Sequence, residues 1–132
     1  MAYFQDTFSY NAGLPTLKRW LENRNSNKMI GDYFLECGYR NIAICDSGEI
    51  GLLLFEEVIK SNINVVCFID RNSEGLEQID GIPVISLNKI ESLDIDVVVV
   101  CPPENYSEVS KYLVRKKNNT PTIYLKDAVY EM

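Results

Sequence analysis

Residues 41–60 read NIAICDSGEIGLLLFEEVIK. The run Asn41–Cys45 is apolar with no in/out alternation, which marks a strand buried on both faces. Asp46, Ser47, Gly48, Glu49, Ile50 and Gly51 then form a turn of small and acidic residues, and a helical pattern follows over Leu52–Lys60. The same kind of run recurs as VVCFI at 65–69, IPVI at 82–85, VVVV at 97–100 and TIYL at 122–125. Helical patterns fall near 87–93 and 104–117, and Pro102 and Pro103 stop the fourth run. Five such runs separated by helices predict an α/β domain with a parallel five-stranded sheet and helices on both faces. Right-handed crossovers give it the strand order 3-2-1-4-5.

Upstream of this core, residues 14–40 predict two additional helices. The first covers 15–24, with Pro15 in its first turn and Leu14, Leu17, Trp20 and Leu21 on one face. Asn23–Asn27 (NRNSN) breaks it. The second covers 28–37, with Met29, Ile30, Tyr33, Phe34 and Cys37 on one face, and Gly38 stands in the usual position after a helix. Residues 1–13 hold Tyr3, Phe4, Phe8 and Tyr10 at imperfect helical spacing. They read as an extended or irregular aromatic arm that packs on the domain or on a second copy. The chain thus divides into an arm (1–13), a helical extension (14–40) and a core domain (41–132).

The 132 residues hold no histidine, so imidazole acid/base chemistry, His-dependent triads and His metal ligands are excluded. No catalytic or metal-ligating set emerges from the remaining residues. The net charge of −6 is unevenly spread. Residues 1–40 hold five basic and four acidic side chains, residues 41–110 three and thirteen, and residues 111–132 five and two. An acidic core disfavours a nucleic-acid partner held by phosphate contacts. Arg115, Lys116 and Lys117 read as a solvated helix end that suits the helix dipole. Cys37, Cys45, Cys67 and Cys101 form no CxxC pair; three of them sit inside or at the end of apolar runs, where a free cysteine reads as a small buried hydrophobe. No leader peptide and no bilayer-length apolar run is evident, so the expected place is the cytoplasm without membrane insertion.

The turn after the first run aligns with the G-x-G-x-x-G pattern that holds a dinucleotide diphosphate, with Asp46 in place of the first glycine and Gly48 and Gly51 in place of the others. Ser47 and Ile50 would offer backbone N–H groups. Asp70 follows Gly51 by 19 residues, where an acidic side chain should bond a ribose hydroxyl. Arg71 beside it could stack on a base or meet a phosphate. Pro102 and Asn105 border the crevice between the first and fourth strands. Asp46 has two readings. At an effective dielectric near 20, a unit charge about 4 Å from a phosphate repels it by roughly 4 kcal/mol. The same carboxylate could instead cap the helix that follows. Cys45 and Cys101 end neighbouring strands, but nothing near them lowers a thiol pKa. Tyr106 and Lys111 are five residues apart, which does not match the tyrosine-lysine pair of short-chain dehydrogenases.

The stretch IAICDSGEIGLLLFEEVI, INVVCFIDRN, GIPVISL and DIDVVVVCPP resembles the Rossmann-fold domain of bacterial surface-polysaccharide proteins, the nucleotide-sugar epimerase-like or CoA-binding-like N-terminal domain. The resemblance covers about residues 29–130. It implies a Rossmann-like fold and a nucleotide, NAD(P) or nucleotide-sugar ligand. Three roles stay open: a nucleotide-type binding module, a non-binding domain that self-associates or docks onto a larger polysaccharide-biosynthesis protein, or part of a sugar-nucleotide oxidoreductase or epimerase. One Rossmann half lacks walls for a substrate, so an enzymatic role requires groups from elsewhere.

Overall fold

The centre of the fold is the pair β1 (Asn41–Cys45) and β5 (Val97–Val100), which run parallel with Ile42 opposite Val97 and Cys45 opposite Val100. All four valines of β5 are wholly buried. A computed structural model describes residues 2–75, 77–117 and 119–132, with residues 2–12 described by their backbone alone. Around the central pair stand β2 (Asn64–Ile69), β4 (Ile82–Ile85) and β6 (Thr122–Tyr124), all parallel, and β3 (Gln78–Ile79), antiparallel to β4. The sheet order is β3-β4-β2-β1-β5-β6. The helices are α1 (Ala2–Asn25), α2 (Ile30–Glu36), α3 (Glu49–Val58), α4 (Pro103–Lys116) and α5 (Leu125–Glu131), with 3-10 turns at Ile59–Ser61 and Leu87–Ser92.

Both faces of the sheet are covered, and this is why its strands show no polar alternation. On one face Ile42, Ile44, Val65, Phe68, Val97 and Val99 pack with Leu54, Phe55 and Val58 of α3, Ile30 and Phe34 of α2, Trp20 of α1, and Leu125 and Val129 of α5. On the other, Ala43, Cys45, Cys67, Ile69, Val98 and Val100 pack with Ile90, Val109 and Leu113. The register of β2 against β1 slips once: Ile42 pairs with Val65 but Ala43 pairs with Cys67. Val66 is the extra residue of a bulge, which bends and twists a strand locally. It resets the alternation so that Phe68 faces α3 and Ile69 the opposite layer.

The sheet has six strands rather than five. The added strand is half of a hairpin whose turn residues, Asp80 and Gly81, both have positive φ (51° and 79°). That conformation matches the right-handed twist of a two-residue hairpin, and an Asp-Gly pair favours it. The N-terminal arm also differs from expectation. Its backbone from Ala2 is helical and continuous with the next segment, so Pro15 lies inside α1 rather than in a first turn. Elongation adds one backbone bond per residue to a nucleus already fixed. Thr16, Trp20 and Asn23 supply that fixed part, all buried, and the single bond forfeited at Pro15 does not end the helix. The packing expected of Tyr3, Phe4, Phe8 and Tyr10 lies outside the described side chains. The helix expected over 87–93 is a 3-10 turn, and α5, which sequence pattern did not suggest, follows β6 directly.

Glu57 of α3 holds the N-terminal helices to the core. It is 3% exposed. Its Oε1 accepts the indole N–H of Trp20 at 3.0 Å and its Oε2 accepts the backbone N–H of Ile30 at 2.8 Å. The Ile30 N–H is the first of α2 and has no partner within its own helix. Arg24 Nε stands 3.3 Å from the same carboxylate. The Asn23 side chain donates to the carbonyl of Val129 in α5 at 2.7 Å.

Candidate functional site

In a parallel sheet with covered faces, the ends of the strands are where polar side chains can gather without entering the core, and ligands bind outside the carboxyl ends at the point where strand order reverses. Here β1 is flanked by β2 on one side and β5 on the other. Their ends carry Cys45 and Asp46, Ile69 and Asp70, and Cys101 and Pro102.

The turn after β1 is closed on itself. The Asp46 carboxylate accepts the Gly48 N–H at 2.8 Å through Oδ1 and the Gly51 N–H at 3.2 Å through Oδ2. These amides belong to the N-cap and first turn of α3, where a helix would otherwise present free donors to an anion. Gly51 is required by contact rather than by dihedral angle. A Cβ there would lie 2.0 Å from the Asp46 carbonyl oxygen. Burial pushes the Asp46 carboxyl above the usual carboxylate range; the two amide bonds pull it down, and Asp70 and Glu104 push it up.

Asp70 is tied to the same turn. Its Oδ2 accepts the Ser47 hydroxyl at 2.7 Å and its Oδ1 accepts the Asn72 N–H at 3.0 Å. Those bonds, the Asn72 amide first and Ser47 second, hold its carboxyl below the usual range. Arg71 points elsewhere and forms an ion pair with Glu108 of α4. Pro102 caps α4, and the Asn105 side chain in its first turn stands against the Cys45 thiol. Glu49 and Ile50 open α3, with Glu49 exposed and Ile50 packed partly against the core.

Two adjoining depressions follow these residues. The larger, about 420 Å³, lies between the ends of β1, β2 and β4 and the start of α4. Its wall combines Ile69, Leu87 and Val109 with the uncharged polar groups Ser73, Ser86, Asn88 and Asn105. The smaller, about 240 Å³, runs over Asp46, Ser47, Asp70 and Pro102. Ile69, Arg71 and Asn105 line both, so they form one cleft. Of the sequence-derived residues, Asp46, Ser47, Asp70, Arg71, Pro102 and Asn105 line the cleft, Gly48 and Gly51 serve the turn itself, and Glu49 and Ile50 do not line it. Ser73, Ser86, Asn88 and Glu108 also line the cleft and were not singled out in the sequence. They sit after β2, after β4 and in α4, and only the crossover geometry brings them together.

The thiols of the strand ends are neutral. The Cys101 N–H donates to the Cys45 carbonyl at 3.4 Å, but both side chains are free thiols. Burial, aided by the Asp46 charge, pushes Cys45 up to about 12 and Cys101 well above the ordinary thiol value. A separate groove of about 270 Å³ lies between α1 and α3, with Leu17, Trp20, Leu21 and Leu53 on its wall. Among the described residues no helix is long and apolar enough to cross a membrane.

A family model described as C2185-like, N-terminal, matches residues 38–120. The chain belongs to the C2185-like N-terminal family. The matched segment begins just before β1 and ends before β6, so the C2185-like portion contains the closed turn, Asp70 and the whole cleft wall. The helices α1 and α2 lie outside it. No curated protein and no solved structure matches the chain.

Proposed function

We propose that this chain is a Rossmann-like binding module whose strand-end cleft takes a nucleotide-type ligand, and that it serves sugar-nucleotide or surface-polysaccharide metabolism beside a larger protein. The observation that carries the reading is the convergence of the 46–51 turn, Asp70 and Asn105 on one cleft where β1 separates β2 from β5. The five parallel strands in the order β4-β2-β1-β5-β6 support it, because a crevice at such a reversal is where open α/β sheets hold ligands. In this reading Asp70 accepts a ribose hydroxyl and the larger depression houses the base. The candidate ligands are NAD(P), CoA and nucleotide-sugars.

The test is thermal unfolding with and without millimolar NAD, NADP, CoA and UDP-sugars. A ligand that binds only the native state stabilises it by about 2.7 kcal/mol at 100 times its Kd. In a domain of this size that raises Tm by several degrees. No shift with any of them, nor with adenosine or uridine, refutes the reading.

A second reading, a two-fold contact between copies through α1 and α3, is favoured by one observation. Leu14, Leu21 and Leu53 are 49%, 60% and 47% exposed, and the groove between the helices carries both Glu56 and Lys60 on its rim. A two-fold contact would bring unlike charges together around an apolar centre. Sedimentation of the intact chain and of Leu21→Glu decides it: a dimer that the substitution dissociates supports the contact, and a monomeric parent chain refutes it.

A further inference from the structure

The position that a phosphate would take against the 46–51 turn is already filled by a side chain of the protein. We infer that the cleft takes an uncharged nucleoside and discriminates against the phosphorylated forms of the same compound. This rests on the reading above that the cleft seats a nucleoside moiety, and it replaces the diphosphate-bearing candidates named there with that moiety alone.

Three observations carry it. The Asp46 carboxylate uses the Gly48 and Gly51 N–H groups, two of the donors that an anion at the start of α3 would meet. A phosphate must displace that carboxylate or sit against its charge, with Asp70 and Glu104 adding to the negative field there. Arg71 is the one basic residue among the described residues lining the cleft, and Glu108 beside it offsets its charge.

What the wall does offer suits a neutral, hydroxyl-bearing ligand. The Ser86 hydroxyl donates to Asn88 Oδ1 at 2.6 Å and keeps a lone pair to accept, the Asn88 and Asn105 amides carry N–H donors, and Ile69, Leu87 and Val109 give an apolar seat for a base. Each Asp70 oxygen holds one donor, Ser47 or Asn72, and a carboxylate oxygen has a second lone pair for one hydroxyl of a ribose diol.

Isothermal titration of the intact chain with adenosine, AMP and ADP, and with uridine, UMP and UDP, tests the inference at neutral pH and physiological salt. One nucleoside is expected to bind at least tenfold more tightly than its diphosphate. Asp46→Gly is expected to shrink that ratio at least tenfold by tightening the diphosphate. Asp46→Asn removes the charge while keeping an acceptor for the turn, and it should act in the same direction if the glycine variant fails to fold. A diphosphate that binds the parent chain as tightly as its nucleoside overturns the inference and leaves the binding reading standing. A ratio unchanged in both variants overturns it as well. Binding of none of the six compounds overturns this inference, and the unfolding experiment above then decides the binding reading separately.

Discussion

Glu57→Ala should detach the N-terminal helices from the core. The carboxylate is buried and receives two buried donors, the Trp20 indole at 3.0 Å and the Ile30 amide at 2.8 Å. Leaving a buried donor unsatisfied costs about 1–3 kcal/mol. The Arg24 contact adds little, because that side chain is 48% exposed and solvent screens it. The expected loss is therefore roughly 2–6 kcal/mol for the two donors together, a large share of the roughly 5–15 kcal/mol that holds a typical domain. Urea unfolding reads it, followed in parallel by far-UV circular dichroism and by fluorescence, since Trp20 is the only tryptophan. If the helices undock first, the Trp20 transition moves to lower urea than the backbone transition. Glu57→Gln keeps the side-chain volume but turns one oxygen into a donor facing donors, and should still lose more than about 1.5 kcal/mol. Coincident transitions with a loss below about 1 kcal/mol in both variants would refute the assignment of Glu57 as the joint.

Gly51→Ala places a Cβ 2.0 Å from a backbone oxygen, whereas Gly48→Ala meets only the Asp46 side chain at 3.1 Å. Calorimetry should show a loss of about 2–3 kcal/mol or more for the first and a smaller one for the second; equal losses would mean that the turn yields freely. Of the four thiols, Cys37 is exposed while burial pushes Cys45 and Cys67 up to about 12 and Cys101 well above the ordinary thiol value. One fast-reacting thiol per native chain at pH 8 is expected with an aromatic disulfide reagent, and two or more would contradict the buried placement. Asp70 has a lowered folded pKa, so its contribution is present above the unfolded value and is lost as pH falls through the folded one. Asp70→Asn should lower Tm at pH 7, with a gap that closes below about pH 4. Asp46 has a raised folded pKa, and its contribution is lost as pH rises, so Asp46→Asn should remove that fall. A gap at Asp70 that is constant with pH would refute the sign.

Much of the sheet was legible because its strands are buried on both faces. Full burial needs unbroken apolar runs, and NIAIC, VVCFI and VVVV are too short for helices that would bury the same residues. The Asp80-Gly81 pair is a hairpin signal in plain sequence, but its partner strand is two residues long and its side chains are exposed or half-exposed, so it leaves no apolar pattern. The helical backbone of 2–13 was hidden for a different reason. Pro15 and Gly13 argue locally for a break, while the fixed part of α1 extends through them.

Local pattern is enough to place the chain among mixed α/β domains with a parallel sheet, and to put an acidic, glycine-containing turn after its first strand. Both are local properties: burial on two faces dictates composition, and a close backbone approach dictates glycine. What the charges do depends on how the elements pack. From the sequence, Asp46 could repel a phosphate or cap a helix; the fold turns its carboxylate onto two amides of its own turn. Glu56 and Glu57 are neighbours of the same type, yet one is exposed and the other lies beneath Trp20. A charge acts through its partners. Those partners come from residues 20 and 30 for Glu57 and from 47 and 72 for Asp70, and their arrangement is set by packing between elements that no local pattern records.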